Sequence, residues 1–444
     1  MTLQDNILSA LHEQNIRFVD LWFIDIMGIH KSVTVPAAQV ARVLEGGLSF
    51  DGSSVDGFAR VAESDMVLMP DPATFAVLPW THDDERTARL ICTVTTPKGQ
   101  PFVGDPRTAL VNALQQAADM GFVFKTGMEM EFFVFRNGPD NRPDLSQPYD
   151  DSSYYDMATE AAHSLRRRMM TTLDALGIPV NSAHSEIGAG QHEIELDFDE
   201  ALTCADQVMT ARVALKTITA QHGAHCTFMP RPCASSPGSG MHTHQSLHDR
   251  ETGENVFVDL EDEYGLSAVA RYFLAGQLTH ARAMTAILAP LVNSYKRLGT
   301  SFEAPVHVTW AHINRAALIR VPGMQPGQEG HTRLELRCPD PSSNPYLATA
   351  VMLQAGLDGI RRRLPLPEPL EETLLMQKRS RIRHYEVLPA SLGEALDALE
   401  QSEIVLSALG PYIADRYLAA KRQEVDQYNS QITTWEVDRY LGRY

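Results

Sequence analysis

The stretch Lys125-Thr-Gly-Met-Glu-Met-Glu-Phe-Phe-Val-Phe135 decides how this chain is read. Aromatic and branched residues crowd it and no proline interrupts it, so it reads as a β-strand. Side chains alternate between the two faces of a strand, which places Glu129 and Glu131 on the same face. A solvated strand face would also carry two such carboxylates, but apolar neighbours on both sides make these half-buried. His192 to Leu196 reads as a second strand of this kind and carries Glu193. Glu186 and Glu193 bracket Ile-Gly-Ala-Gly-Gln-His, whose two glycines permit a tight backbone path that lets both carboxylates converge, unless the segment is an exposed loop. No third glycine follows at the spacing of a dinucleotide fingerprint.

Further along, Pro237-Gly-Ser-Gly-Met-His-Thr-His244 is a glycine-rich loop running into a His-x-His pair on one strand face. Such pairs often bind zinc. Here the other ligands are carboxylates, so one histidine is expected on a metal and the other on a nucleotide phosphate. Arg333-Leu-Glu-Leu-Arg337 alternates as well, with Arg333, Glu335 and Arg337 on one face. That ladder could be a cross-strand ion network. Yet Arg297, Arg315, Arg320, Arg333 and Arg337 concentrate in one part of an acidic protein, as clamps for carboxylate and phosphate groups do.

Glu129, Glu131, Glu186, Glu193, His242 and Glu335 therefore form the central expectation. Five carboxylates and one imidazole aimed into one space repel one another unless cations sit among them. An oxygen-rich set with one nitrogen suits Mg²⁺ or Mn²⁺ better than structural zinc. Sites with several such ions commonly handle phosphoryl groups. No Walker-A sequence exists, so ATP would be held in another way.

The chain has 444 residues and a formal net charge of -18. Its length favours two domains or one large elaborated one. The charge argues against nucleic acid as a partner. Five cysteines without a CxxC pair, and no signal peptide, point to a reduced cytoplasmic protein. No apolar run has the roughly 20 residues of a membrane helix, so no membrane partner is expected.

Before the central strand, residues 3–14 read as a helix. Arg17 to Ile24 and Ile29 to Val35 form a hairpin turned by Met27-Gly28, and a helix runs from Pro36 to about Leu44. Phe50-Asp-Gly-Ser-Ser54 reads as a loop. Further strands fall near Val67–Met69, Ala76–Leu78 and Leu90–Thr95. The turn-rich Pro97-Lys-Gly-Gln-Pro101 makes a boundary near residue 105. After it, Thr159 to Leu176 reads as helical, Asn137 to Asp151 as a loop, and the last sixty residues as helices. Capping-box patterns mark Ser391/Glu394 and Thr433/Glu436, and Pro411 suits a first helical turn.

Phe50-Asp-Gly-Ser-Ser54, Gly240-Met-His-Thr-His244, Lys296-Arg-Leu298, Glu303-Ala-Pro305, Asn314-Arg315, Arg333 to Pro341 and Asn344-Pro-Tyr-Leu347 together resemble the type I glutamine synthetase family. The likeness runs from about Arg17 to the C-terminus and is nearest the shorter, non-adenylylated subgroup. It implies an α+β fold. A small β-grasp-like domain (1–105) would contribute to the neighbouring subunit's active site, and a large catalytic α/β domain (106–444) would be built on a curved antiparallel half-barrel sheet. It implies ATP-dependent ligation of ammonia to the side-chain carboxylate of glutamate through a γ-glutamyl phosphate. It also implies two or three Mg²⁺ or Mn²⁺ ions per site, and a cytoplasmic homo-oligomer, typically a dodecamer of two stacked hexameric rings.

Carried over by position, Glu131, Glu186 and Glu193 resemble the ligands of one metal, and Glu129, His242 and Glu335 those of the metal nearer ATP. Arg297 and Arg337 resemble the clamps on the glutamate carboxylates, with Gly238 near the amino acid. Arg315 resembles the residue facing the transferred phosphoryl group. Phe198, His244, Ser246, Arg320 and Arg333 resemble ATP contacts. Asp51 resembles an ammonium-binding carboxylate supplied by the neighbouring subunit, and Glu303 the flap residue that closes the site.

Some positions depart from the family. Pro237 replaces the usual Asn, and the flap reads Gly299-Thr-Ser-Phe302. No tyrosine-bearing regulatory loop is recognisable between Leu364 and Ser391, and Arg60 matches a position tied to feedback inhibition. Asp51 and Glu303 favour ammonia as acceptor. Pro237 and the altered flap favour the alternative, a glutamate–amine ligase joining glutamate to a polyamine or alkylamine. An inactive structural homologue is the third reading, and the complete metal and arginine set argues against it.

Overall fold

The computed structural model describes residues 2–55, 65–157, 159–299, 304–323, 327–371 and 385–444. Near the N-terminus, α1 (Leu3–Glu13) starts at Thr2 in a complete capping box with Asp5. β1 (Phe18–Ile24) and β2 (His30–Pro36) pair antiparallel, and Gly28 takes the positive φ of +85° that the turn requires. The chain continues through α2 (Val40–Gly46), β3 (Leu48–Asp51), β4 (Asp65–Pro70), β5 (Ala76–Val77) and β6 (Thr87–Thr95). β1 runs parallel to β6, and among the described residues the sheet order is β2-β1-β6-β4-β3 with β5 on β6. The sequence reading put Phe50 and Asp51 in a loop. Instead they end β3, where Leu48 and Phe50 are half-buried and Ser49 and Asp51 exposed in period-two alternation.

The second sheet is built along one long strand, β7 (Phe122–Asn137). Other strands are β8 (Pro143–Pro148), β9 (Val180–Ser185), β10 (Gln191–Leu196), β11 (Asp199–Glu200), β12 (Ala224–Thr227) and β13 (Met241–Asp249). They are completed by β14 (Trp310–Ala311), β15 (Ile319–Arg320) and β16 (Leu334–Leu336). The path is β14-β15-β16-β13-β7-β10-β9, with β8, β11 and β12 also on β7. All pairs are antiparallel except β14 with β15. β8 lies inside the expected loop 137–151. It touches β7 at only two register positions and has proline at both ends, as befits an edge segment.

The helices of this part are α3 (Pro106–Asp119), α4 (Glu160–Ala175), α5 (Ala201–Gln221), α6 (Ala268–Leu288), α7 (Ser294–Leu298) and α8 (Pro345–Arg362), of which α3, α4 and α5 pack against the sheet. α8 is buried from Pro345 to Gly359, and the Asn344 side chain caps it by accepting the Tyr346 and Leu347 N–H groups. It crosses α6 so closely that a Cβ on Gly359 would lie 2.0 Å from the Tyr272 carbonyl oxygen. The C-terminal helices are Leu392–Glu400, Glu403–Leu409, Pro411–Asn429 and Thr434–Tyr440. Thr433 and Glu436 form both halves of a capping box. Ser391 accepts the Glu394 N–H, but the Glu394 carboxylate takes the Ala390 N–H, so that box is incomplete.

Two contacts lock the sheets together. Arg107 of α3 pairs with both oxygens of Asp206 (3.0 and 2.8 Å) and reaches Asp71 at 2.7 Å, while the Tyr346 hydroxyl donates to Asp206. The Asn344 amide donates to the Asp25 carbonyl at the β1–β2 turn. Among the described residues no helix is long and apolar enough to cross a membrane.

Candidate active site

Four adjacent strands set out the acidic residues in rows. Register places His242 of β13 opposite Glu129 of β7, Glu193 of β10 opposite Glu131, and His244 opposite Glu335 of β16. Glu186 follows the end of β9, in the turn to β10. All six expected metal ligands line one cavity of about 480 Å³. Two triads within it have ligand atoms close enough to share an ion: Glu129, His242 and Glu335, and His184, Glu186 and Glu193. His242 Nδ1 stands 2.9 Å from Glu129 and 3.8 Å from Glu335. Glu131 lies between the triads, accepting from Gln191 at 3.0 Å and 3.9 Å from His242 Nε2.

His184 was not anticipated. Its Nε2 is 3.2 Å from Glu193, and its ring meets Tyr154 and Tyr155 edge-on. The signal was present as His-x-Glu at 184 and 186, the same spacing as Glu129 and Glu131. The partnership itself comes from the β9–β10 register, which pairs His184 with Glu193. Tyr154 also borders the cavity. Burial and the Tyr155 hydroxyl push its phenol well above the ordinary value, against a hydrogen bond from Arg315.

Electrostatics test whether the donor set fits cations. Burial, then the charges of Glu131 and Glu193, push the Glu186 carboxyl up to about 8. Burial also raises Glu193, opposed by the hydrogen bond from His184. Burial would raise Glu129 too, but hydrogen bonds from His242 and His244 hold it well below the usual carboxylate range. A carboxyl group kept protonated by burial among anionic neighbours is where a divalent ion replaces the proton with most gain. The donors are hard oxygens with two imidazoles, so the set fits Mg²⁺ or Mn²⁺.

Arginines line the same cavity. Glu335 is paired through one oxygen with Arg320 at 2.9 Å and through the other with Arg337. Arg297 is buried and donates to the carbonyls of Arg337, Cys338 and Pro339 while bordering the cavity. It packs close against Gly240, where a Cβ would lie 2.5 Å from its Nη2. Gly238, Pro237 and Arg315 line the same cavity.

A second cavity of about 530 Å³ adjoins the first, with Glu195 on both walls. Phe198, His244, Ser246 and Arg333 line it, together with Asn181 and Gly127. Arg320, grouped with these by sequence, lines the first cavity instead. Asp51 lies exposed at the end of β3, accepting from Ser53, and lines neither cavity. Glu303, Arg60 and the flap residues 300–302 lie outside the described residues, as do residues 372–384 between Leu364 and Ser391.

Known proteins resemble this chain along essentially its whole length. Residues 15–97 match the family described as "Glutamine synthetase, beta-Grasp domain", and residues 103–440 match "Glutamine synthetase, catalytic domain". The chain belongs to the type I glutamine synthetase family. A glutamine synthetase of Halobacterium salinarum is 43% identical, over 100% of this chain and 98% of the relative. One from Thermus thermophilus is 44% identical over 99% and 98%. Among solved structures, "Apo GmaS without ligand" superposes with a TM-score of 0.88 at 33% identity, covering 98% of this chain and 99% of that one. "GmaS/ADP complex-Conformation 1" gives 0.87 at 32%, with the same coverage. The α+β reading, with a β-grasp unit preceding a curled sheet, is that of the glutamine synthetase fold.

Proposed function

We propose that this chain is a glutamate–ammonia ligase, making glutamine from glutamate and ammonia at the expense of ATP. The observation that carries this reading is the match at 43–44% identity, along essentially the whole chain, to curated glutamine synthetases. Glutamate–amine ligation is the less favoured reading.

A carboxylate is a poor electrophile, so it must first become an acyl phosphate. Arg337 and Arg297, with the Gly238 backbone, would hold the glutamate carboxylates. Phe198, His244, Ser246 and Arg333 in the second cavity, and Arg320 in the first, would hold ATP. Two divalent ions, held by Glu131, Glu186 and Glu193 with His184 beside them and by Glu129, His242 and Glu335, would supply neutralising charge for phosphoryl transfer. A third would accompany the nucleotide. Arg315 would meet the charge that develops on the phosphoryl group, a role worth roughly 10³–10⁵ in rate for an arginine so placed.

Asp51 would attract ammonium and take its proton, and Glu303 would shield the acyl phosphate from water. With a division near residue 105, the small domain would reach a neighbouring subunit's site in a ring, here taken as a cytoplasmic dodecamer, and the exposed position of Asp51 supports such a contact. Phosphate release from ATP is then measured with glutamate plus ammonium, and again with putrescine or ethylamine. Turnover with ammonium is expected. Turnover with an amine alone would overturn the reading.

A further inference from the structure

A continuous chain of hydrogen bonds joins the two cavities. Arg333 Nε donates to His244 Nδ1 at 3.1 Å. An arginine nitrogen has no lone pair with which to accept, so Nδ1 is the acceptor and the ring hydrogen sits on Nε2. That hydrogen points at Glu129 Oε1, 2.7 Å away. The other oxygen of Glu129, Oε2, faces His242 Nδ1 at 2.9 Å, within the triad completed by Glu335. Glu129 is thus pinned through one oxygen and presents the other to the triad. The His244 side chain is only 8% exposed, so it has little room to turn.

We propose that His244 is a positioning residue for Glu129, and that Arg333, a residue of the nucleotide cavity, fixes the tautomer in which His244 does this. The cation affinity of the first cavity then depends on a side chain of the second, before any nucleotide arrives. The inference rests on the reading that Glu129, His242 and Glu335 hold a divalent ion. A partner that orients a ligand through its second oxygen typically changes metal affinity 10- to 100-fold when removed. If Arg333 and His244 served only as nucleotide contacts, replacing them would leave metal binding untouched in nucleotide-free protein.

The test is a Mn²⁺ titration of the full-length, chelator-stripped, nucleotide-free protein, with free Mn²⁺ read by electron paramagnetic resonance. His244→Ala should weaken one of two sites about 10- to 100-fold and leave the other unchanged. His244→Gln, whose amide N–H is able to reach the same oxygen, should recover part of the loss. Arg333→Ala should weaken the same site, and the double variant Arg333→Ala/His244→Ala should lose no more than His244→Ala alone, as expected for groups acting in series. Wild-type affinity at both sites in Arg333→Ala, or losses that add in the double variant, would overturn the proposal. Wild-type protein that binds no Mn²⁺ would instead remove the metal reading beneath it. Arg333→Ala carries the test alone if the His244 variants fail to fold.

Discussion

Glu186 shows the cost of the site at the scale of one residue. Its carboxyl is pushed up to about 8, above the ordinary 4.5, so in metal-free protein its ionisation opposes folding as pH rises from about 4.5 to 8. Glu186→Gln should raise the thermal midpoint of metal-free protein at pH 8, by an amount on the order of 1–3 kcal/mol in stability. It should also weaken Mn²⁺ binding by at least about tenfold. Calorimetry with and without Mn²⁺ reads both, and a variant destabilised in the metal-free state would contradict the repulsion argument. Much of the site was legible one residue at a time. Period-two spacing marked Glu129 and Glu131, and the His-x-His pair marked His242 and His244. His184 was hidden because its role depends on which strand β9 pairs with. Arg297 was recognised, but its engagement with three backbone carbonyls was not, since those contacts need the fold around it.

Elements hold these residues in place through close packing and caps. Helices α6 and α8 touch backbone to backbone at Gly276 and Gly359, where any side chain meets main-chain atoms that cannot step aside. Gly359→Ala should destabilise the protein by about 1–3 kcal/mol, read as a lowered denaturation midpoint with unchanged m-value. No change would mean that the crossing is looser than described. Asp105 caps α3 and also accepts the Val94 N–H of β6, and burial pushes its carboxyl up to about 6. A raised acid favours folding most below its unfolded value near 3.8, and that contribution disappears as pH rises to about 6. Asp105→Asn keeps an acceptor but cannot ionise. Stability measured from pH 4 to 7 should therefore fall by about 2–3 kcal/mol less in the variant than in wild type. Parallel profiles would contradict the shift. Strand and helix identity was readable from alternation and caps, as at Thr433 and Glu436. β8 and the end of β3 were missed because short edge strands surrounded by turn residues look like loops.

At the scale of the whole molecule, one residue expected of the proposed site lies away from both cavities. Asp51 lines neither cavity, although the family likeness gives it a role beside the acceptor. If a neighbouring subunit supplies it, Asp51→Ala and Arg337→Ala chains, each inactive alone, should recover activity when dissociated and reassembled together. Random mixing restores about a quarter of the sites. No recovery in mixed assemblies would contradict the shared site. The order of the β-grasp and curled sheets was readable from motif order. The way β7 gathers strands on both edges was not, because pairing between distant segments leaves no local mark. The central claim is that two divalent ions lie among the acidic side chains beside the cavity's arginines. Crystals grown with Mn²⁺ and ADP, measured at the manganese absorption edge, test it most directly. Anomalous peaks should fall within the Glu129/His242/Glu335 triad and within the His184/Glu186/Glu193 triad next to Glu131. Acidic side chains turned apart, with no peak among them, would contradict it.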